Sequence, residues 1–417
     1  MTQLPSNKLP SNTLHSGTFR RNTLRAVLAV TLIATVAGCT TVKGWVSKLG
    51  ASDNAHQPAK LTAITPSITV QKIWSRSVGK GERKLGLRDR PAIDGTRVFV
   101  EDPYGPNLYA LDLASGHEIW KKQTKLRLTG GPGSGQGVVV VGSVNGDVVA
   151  LASDTGAERW RAKVTSEVIS SPLVAGDLVV VRSGDGKVAA FGLADGQRRW
   201  GYERQMPSLT LRGDPSPVMA ANGMIYLGYE DGSLVALRAT DGSKVWEQVV
   251  AQPEGRSDID RMADIDGDIV AGPDGVFAAS YKGKVGAFAP DSGAQGWTHS
   301  LVSYGGLARG DNALFVSDAS GTVWALDRAT GAALWKQDAL AWRWLSTPAV
   351  QGSYVVVGDL QGYLHWLKPD TGAIVARARI GGSKDAIRAT PQVSADGSIL
   401  LALTTQGKLT AFRINNK

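Results

Sequence analysis

Few side chains in this 417-residue sequence combine the residue types and spacing that chemistry requires. The five histidines are scattered, and no two have the spacing of zinc ligands. The single cysteine rules out a Cys-x-x-Cys-His site for haem, and neither a Gly-x-Ser-x-Gly nucleophile elbow nor a phosphate-binding loop occurs. We therefore predict no catalytic residue, no metal and no cofactor.

One acidic cluster resembles a calcium-binding loop. It reads Asp264-Ile-Asp266-Gly-Asp268. It lacks the glycine expected after the third carboxylate, and Gly275 stands where a bidentate glutamate should be. The cluster is therefore a weak candidate for calcium and a better one for turn capping.

A repeat indicates the elements that must position these residues. The pattern Gly-x-apolar-x-Ala-apolar occurs eight times, with Pro106 in place of glycine in the first copy and Trp366 in place of alanine in the seventh. Each copy combines a turn, an alternating strand and usually a second turn whose glycine precedes a tryptophan by four residues. A period of about 40–50 residues is typical of a β-propeller. We expect the following tryptophans to dock neighbouring blades: Trp74, Trp120, Trp160, Trp200, Trp246, Trp297 and Trp335.

The two ends of the repeat array predict how the ring closes. The seventh copy has Ala376 in the tryptophan position, and the eighth ends near Phe412, too close to the C-terminus for a fourth strand. A strand-like segment from Ile68 to Trp74 precedes the first copy. We predict an all-β, eight-bladed β-propeller of four-stranded blades, with this N-terminal strand completing the last blade and removing its open edge.

The N-terminus has the features of an export signal. Residues 1–38 contain four basic and no acidic residues, and an apolar run from Ala26 to Ala37 is too short to span a bilayer. Small residues before Cys39 resemble a bacterial lipobox. We predict a signal peptide at 1–38, a lipidated, palmitate-bearing Cys39 with a flexible tether at 39–62, and a propeller at 63–417.

The lipobox resemblance implies a location. A lipoprotein of this type faces the periplasm of a Gram-negative bacterium. Thr40 stands where aspartate would imply retention in the inner membrane, so the resemblance implies the outer membrane. With Cys39 lipidated, no intramolecular disulfide can form.

The charge of the chain does not indicate nucleic-acid binding. The net charge is +9, and removing residues 1–38 leaves 42 basic and 37 acidic residues, a net charge of +5. These charges are spread along the sequence, without a basic run interleaved with aromatic residues. We therefore predict no nucleic-acid partner. We expect the protein to attach to the membrane through its lipid anchor.

Two alternative functions follow from other features. The repeat Ala-x-Asp-x-x-Thr-Gly-x-x-x-Trp resembles that of pyrroloquinoline-quinone dehydrogenases, which would imply an enzyme. A propeller of this type reports the fold, however, and function must be argued from sites. Trp342 and Trp344 could form a stacking platform of a periplasmic glycan sensor, although core packing is the favoured use of both.

Three segments are similar to motifs of the BamB family, lipoprotein subunits of the outer-membrane β-barrel assembly machinery. The segment 206–213 reads Met-Pro-Ser-Leu-Thr-Leu-Arg-Gly, 259–266 reads Ile-Asp-Arg-Met-Ala-Asp-Ile-Asp, and 358–366 reads Gly-Asp-Leu-Gln-Gly-Tyr-Leu-His-Trp. The resemblance covers nearly all of the chain after the signal peptide. It implies a non-catalytic scaffold that aids the folding and insertion of outer-membrane proteins.

The resemblance also implies which residues bind partners. Carried over from the family, Leu209, Leu211, Arg212, Asp264 and Asp266 would bind the central barrel subunit through its periplasmic POTRA domains. Other assembly lipoproteins and unfolded barrel precursors are further implied partners.

The repeat spacing supports loops at these residues. The intervals Trp200–Trp246 and Trp246–Trp297 span 46 and 51 residues, against 40 for each of the two pairs directly before them. The extra length belongs in loops between blades, where binding sites concentrate. The residues alone leave open that the leucines are buried strand residues and that the carboxylates cap a turn.

Overall fold

The protein is described by a computed structural model that covers residues 57–82, 86–205, 215–252, 263–281 and 283–416. These residues form 32 β-strands and no helix, arranged as eight four-stranded antiparallel sheets. From Pro58 onward they belong to one compact unit.

Each sheet is one blade, and in blades 1–7 the strands follow chain order from the ring centre outward. Blade 1 consists of β2 (Ala92–Asp94), β3 (Arg97–Glu101), β4 (Asn107–Asp112) and β5 (Glu118–Gln123), and blade 2 of β6 (Leu128–Gly135), β7 (Val138–Ser143), β8 (Asp147–Ala152) and β9 (Glu158–Lys163). Blade 3 consists of β10 (Leu173–Ala175), β11 (Leu178–Arg182), β12 (Val188–Gly192) and β13 (Arg198–Tyr202). Blade 4 consists of β14 (Val218–Met219), β15 (Met224–Gly228), β16 (Ser233–Arg238) and β17 (Lys244–Val249). Blade 5 consists of β18 (Val270–Gly272), β19 (Gly275–Ser280), β20 (Lys284–Phe288) and β21 (Gln295–Ser300), and blade 6 of β22 (Leu307–Arg309), β23 (Ala313–Ser317), β24 (Val323–Asp327) and β25 (Ala333–Gln337). Blade 7 consists of β26 (Ala349–Gln351), β27 (Tyr354–Gly358), β28 (Tyr363–Leu367) and β29 (Ile374–Arg379). Blade 8 consists of β30 (Gln392–Val393), β31 (Ile399–Leu403), β32 (Lys408–Asn416) and, outermost, β1 (Ile68–Ser77).

The blades form a closed ring. Their innermost strands contact one another in cyclic order, and β30 of blade 8 contacts β2 of blade 1. Blade 1 therefore lies opposite blade 5. The buried apolar residues form eight clusters, each shared by two adjacent blades. The core thus lies between the blades, where apolar burial holds the ring together.

The N-terminal strand completes blade 8, as predicted. Strand β1 pairs antiparallel with β32, from Ile68 opposite Asn416 to Ser77 opposite Lys408. The ladder joins the two ends of the described chain and is interrupted by one irregularity, between Lys72 and Trp74. The predicted all-β, eight-bladed fold and its mode of closure are confirmed.

Seven tryptophans of the outermost strands contact the next blade in the same way. Each indole Nε1–H donates to a carbonyl oxygen of that blade over 2.7–3.1 Å. Each ring also covers a turn glycine; at Gly331, with φ of +73°, an added Cβ would lie 2.4 Å from the Trp297 ring. This contact explains why the turn and the tryptophan recur together. The seven are Trp74, Trp120, Trp160, Trp200, Trp246, Trp297 and Trp335.

The junction of blades 7 and 8 is built differently. Blade 8 has no turn between its third and outermost strands, because β32 and β1 come from opposite ends of the chain. Ala376 therefore has no such turn to meet. Instead the buried Trp366 packs edge-on against Phe412 at 5.8 Å and donates to Gln351 Oε1 over 2.9 Å. The Gln351 amide in turn donates to the Phe412 carbonyl over 3.2 Å.

The last residues of the predicted tether contact the propeller, so the compact unit begins at Pro58 and not at residue 63. The Ala59 amide donates to the Ala341 carbonyl over 2.9 Å, and the Arg343 Nη1 donates to the Ala59 carbonyl over 2.9 Å. Arg377 Nη1 donates to the Thr62 carbonyl over 3.0 Å. Ala59 and Thr62 make these contacts with backbone atoms. No side-chain pattern in the sequence therefore marks where the compact unit begins.

Arg343 and Arg377 are both oriented by the segment 358–366, the third of the segments that resemble the family. Asp359 Oδ2 accepts from Arg343 Nε over 2.8 Å and lies 3.0 Å from His365 Nε2. Arg377 Nε donates to His365 Nδ1 over 3.1 Å, so the imidazole proton is on Nε2. Burial lowers the pKa of His365, in agreement with a neutral ring. The segment 358–366 thus helps hold the start of the compact unit.

Candidate functional site

The predicted partner-binding residues fall into two groups. Leu209, Leu211 and Arg212 lie outside the described residues, as does the predicted lipidation site Cys39. Asp264 and Asp266 are described, and they precede β18 of blade 5.

Asp264 and Asp266 are buried. Their exposed fractions are 1 % and 7 %, and the intervening Ile265 packs into the apolar cluster between blades 4 and 5. The Ile265 amide donates to the Tyr229 carbonyl over 3.1 Å, and the Asp264 carbonyl accepts from the Tyr281 amide over 2.8 Å. This backbone is therefore an integral part of the ring.

An arginine from the opposite side of the ring pairs with Asp266. Arg88 lies in the segment that leads into β2 of blade 1. Its Nη2 is 2.9 Å from Asp266 Oδ2, and its Nη1 donates to the carbonyls of Asp266 over 3.3 Å and of Tyr304 over 2.6 Å. A planar guanidinium can satisfy several acceptors at once, which suits it to this position.

A second contact crosses the ring beside the first. Arg90 Nη1 is 2.9 Å from Asp268 Oδ1, and the Thr390 hydroxyl donates to Asp268 Oδ2 over 2.7 Å. Asp268 therefore joins blades 1, 5 and 8. We call Arg88, Arg90, Asp266 and Asp268 the cross-ring cluster.

The segment also lies unusually close to blade 6. Asp268 forms an isolated parallel bridge with Gly306. An added Cβ on Gly267 would lie 2.1 Å from the Gly306 nitrogen, so only glycine permits this approach. Gly267, between the second and third carboxylates of the acidic cluster, is thus required by packing.

The cross-ring cluster closes one mouth of the propeller's centre. The cavity that remains there has a volume of about 50 Å³ and is lined by residues of seven blades, including Arg88, Asp266 and Asp268. Pockets for small organic ligands usually have volumes of roughly 300–1,000 Å³. The side chains present leave no room for a three-ring quinone at this position.

A group of buried acids lies beneath the cross-ring cluster, and the sequence analysis did not identify it. Burial raises the pKa of Glu82 to about 7, although Arg388 Nη1 lies 3.2 Å from Glu82 Oε1. Burial and then the charge of Glu82 raise the pKa of Asp89 to about 8. Burial and then the charge of Asp89 raise the pKa of Glu101 well above its usual range.

Asp89 and Glu101 form a pair of buried carboxyl groups. In each of them, burial and the charge of a neighbouring carboxylate disfavour the ionised form. The sequence offers one signal of this acidic group. Glu101 ends the second strand of blade 1, whereas the second strands of three other blades end in serine. These serines are Ser143, Ser280 and Ser317.

Exposed aromatic side chains border the same mouth. Trp344 is 71 % exposed, so the favoured prediction of core packing is wrong for this residue. Trp342 and Trp344 have φ angles of +58° and +49°, which are uncommon for bulky residues. Both line a cavity of about 440 Å³ together with Tyr304 and Arg88.

Within the described residues, no group of three or more histidine, cysteine, aspartate or glutamate side chains is arranged to hold a metal ion. The same part of the chain contains no helix that is long and apolar enough to cross a membrane.

Comparison with known proteins settles the family. Residues 105–337 match the family model described as outer membrane protein assembly factor BamB. The chain belongs to the BamB family. The resemblance seen in the sequence is thereby confirmed.

Curated members of the family match along most of their length. The outer membrane protein assembly factor BamB of Xanthomonas campestris pv. campestris is 44 % identical over 401 residues, which cover 94 % of this chain and 97 % of that protein. The protein of the same name from Pseudomonas aeruginosa is 46 % identical over 369 residues, covering 88 % and 96 %.

Solved structures agree with the fold. BamB from Moraxella catarrhalis has a TM-score of 0.74 at 28 % identity and covers 83 % of this chain and 100 % of that one. A quinohemoprotein alcohol dehydrogenase from Comamonas testosteroni has a TM-score of 0.67 at 13 % identity, covering 82 % and 76 %. The likeness to the dehydrogenase shows a shared propeller fold and nothing about activity.

Proposed function

We propose that this protein is a non-catalytic scaffold of the outer-membrane β-barrel assembly machinery. It binds the central barrel subunit through that subunit's periplasmic POTRA domains, together with other assembly lipoproteins, and aids the folding and insertion of outer-membrane proteins. The observation that carries this proposal is the near-complete match to relatives named outer membrane protein assembly factor, at 44 % identity over 94 % of the chain.

The centre of the ring supports a non-catalytic role. A cofactor bound at the mouth closed by the cross-ring cluster would have to displace the pairs Arg88–Asp266 and Arg90–Asp268. Breaking buried or half-buried ion pairs leaves charges without partners, which is costly. A quinone-dependent dehydrogenase is therefore disfavoured by residues that fill the space.

The proposal includes a location at the outer membrane. Cys39 carries the lipid, and the propeller faces the periplasm. The lipobox-like sequence before Cys39 and the names of the relatives support this location.

Capture of the protein from its native membrane tests the proposal. Membranes are solubilised in mild detergent, the protein is captured by a C-terminal tag, and co-purifying proteins are identified by mass spectrometry, with an untagged strain as control. We expect stoichiometric recovery of a large outer-membrane barrel with repeated periplasmic domains. Recovery of the protein alone, or with respiratory-chain proteins, would contradict the scaffold function.

A glycan-binding role is a second candidate, and one observation favours it. Trp344 is 71 % exposed beside a cavity of about 440 Å³, a position in which an indole can stack on a sugar ring. Saturable binding of peptidoglycan fragments that is lost in Trp344→Ala would support this role. Equal behaviour of both proteins would remove it.

A further inference from the structure

We infer that Arg88 is a positioning residue for partner binding: from blade 1 it holds the Asp264–Asp268 segment of blade 5 in its binding conformation. This inference rests on the proposed scaffold function. It assigns a role to a residue far in sequence from both segments that the family resemblance marks as partner-binding.

Neither of the two predicted aspartates presents its side chain at the surface. A residue that contacts a partner must present atoms at the surface, and the exposed fractions of Asp264 and Asp266 are only 1 % and 7 %. Substituting them would therefore disturb the segment more than it would remove a direct contact. Their influence on a partner runs through the position of the Asp264–Asp268 segment, which leads into β18.

The guanidinium of Arg88 makes three contacts with acceptors outside blade 1. One guanidinium contacts Asp266 Oδ2 at 2.9 Å, the Asp266 carbonyl at 3.3 Å and the Tyr304 carbonyl at 2.6 Å. It thus fixes both the side chain and the backbone of Asp266, and links them to blade 6.

The segment has further contacts that do not involve Arg88. Ile265 is anchored to the Tyr229 carbonyl, Asp268 is held by Arg90 and Thr390, and Gly267 abuts Gly306. The Arg88 side chain is 35 % exposed, so water screens part of its charge. Loss of Arg88 would loosen the segment locally while the ring stays closed.

The first experiment measures affinity and stability together. The full lipid-anchored protein in detergent is titrated with the central barrel subunit, as wild type, as Arg88→Gln and as Arg76→Gln. Arg76 is the matched control, because its side chain is 33 % exposed and it pairs with Glu118 at the outer rim. We expect Kd to rise about tenfold in Arg88→Gln and to change little in Arg76→Gln, with each variant titrated well below its own Tm.

A charge exchange separates positioning from direct contact. If Arg88 only positions Asp266, then Arg88→Asp combined with Asp266→Arg should restore Kd to within about threefold of wild type, because the pair is re-formed. If Asp266 itself binds the partner, reversal of its charge in a folded protein will leave binding weak. That outcome would overturn the inference.

Hydrogen–deuterium exchange provides a measurement that does not depend on the partner or on the folding of the double variant. The amides of Ile265 and Tyr281 report on the segment, since both donate hydrogen bonds that hold it. In the unbound protein, Arg88→Gln should exchange faster at these amides and Arg76→Gln should not. Unchanged exchange would overturn the inference.

The outcomes distinguish the inference from the proposed function. If the wild-type protein does not bind the barrel subunit, the scaffold function fails. If the wild type binds and Arg88→Gln binds equally well, the scaffold function stands and the positioning role of Arg88 is wrong.

Discussion

At the scale of single residues, each blade junction depends on a polar atom that finds its partner in the next blade. The indole of Trp200 combines apolar burial with a hydrogen bond to the Ala239 carbonyl over 2.8 Å, and it covers Gly242. An aromatic side chain of this size contributes both area and a donor. The contribution of one such indole can be measured directly.

We expect Trp200→Ala to lower the free energy of unfolding by about 3–5 kcal/mol, because it leaves a cavity between blades 3 and 4. The exposed Trp344 is the matched control, and Trp344→Ala should change stability by less than about 0.5 kcal/mol. Both values come from denaturant unfolding. A small effect of Trp200→Ala would show that the blades hold together without this contact.

The buried acids predict a dependence of stability on pH. An unfolded aspartate has a pKa of about 3.9, whereas burial raises the pKa of Asp89 to about 8. The folded state therefore keeps a proton that the unfolded state loses, and stability falls as pH rises from about 4 to 8. Asp89→Asn should make this decline shallower between pH 5 and pH 8.

Asp396 provides a control of opposite sign. Hydrogen bonds from Ser394 and Ser398 lower its pKa to about 2. The stability it contributes is present above pH of about 4 and is lost only as pH falls toward 2. Asp396→Asn should therefore lower stability equally at pH 5 and pH 8. Parallel pH profiles for wild type and Asp89→Asn would contradict the role given to Asp89.

At the scale of elements, the repeat predicted the blades because each turn glycine and each docking tryptophan serve the same local contact. The exception was also visible, since Ala376 stands where blade 8 has no turn to offer. The replacement also has a signal, because Trp366 stands where the other copies of the repeat have alanine and pairs with Ala376. Its contacts with Gln351 and Phe412 depend on side-chain packing and could not be predicted from the repeat.

Removal of the closing strand β1 tests whether its pairing with β32 is needed for a closed ring. A chain that begins after Ser77 lacks β1, which leaves the nine-residue β32 as an open edge. We expect this truncation to lose the cooperative thermal transition and to aggregate, because exposed long edges pair with other chains. Thermal melts and sedimentation velocity of the purified, unlipidated protein measure both effects.

A truncation that begins at Pro58 is the control, since it keeps the entire compact unit. It should melt at the same temperature as the mature chain. An intermediate truncation that begins at Ser67 removes the contacts of Ala59 and Thr62 with Arg343 and Arg377 while it keeps β1. A folded, monomeric protein after the loss of β1 would refute the closing role of that strand.

At the scale of the whole molecule, the ring brings together residues that no sequence pattern connects. Arg88 and Asp266 are 178 residues apart, yet they meet across the centre because blades 1 and 5 are opposite. The sequence marked Asp264 and Asp266 through the family resemblance but not their burial or their partner. Periodicity predicts elements, whereas contacts across the ring require the closed structure.

The final prediction concerns how the molecule joins the assembly machinery. Leu209 and Arg212 belong to the insertion between Trp200 and Trp246, and we expect them to form an apolar and a charged contact with the partner. Leu209→Ala with Arg212→Ala should reduce recovery of the barrel subunit at least about tenfold while Tm changes little. The fully buried Leu108 is the control, because Leu108→Ala should lower stability by about 2–5 kcal/mol. If the double variant instead loses stability as Leu108→Ala does, the two residues belong to the core and the partner is bound elsewhere.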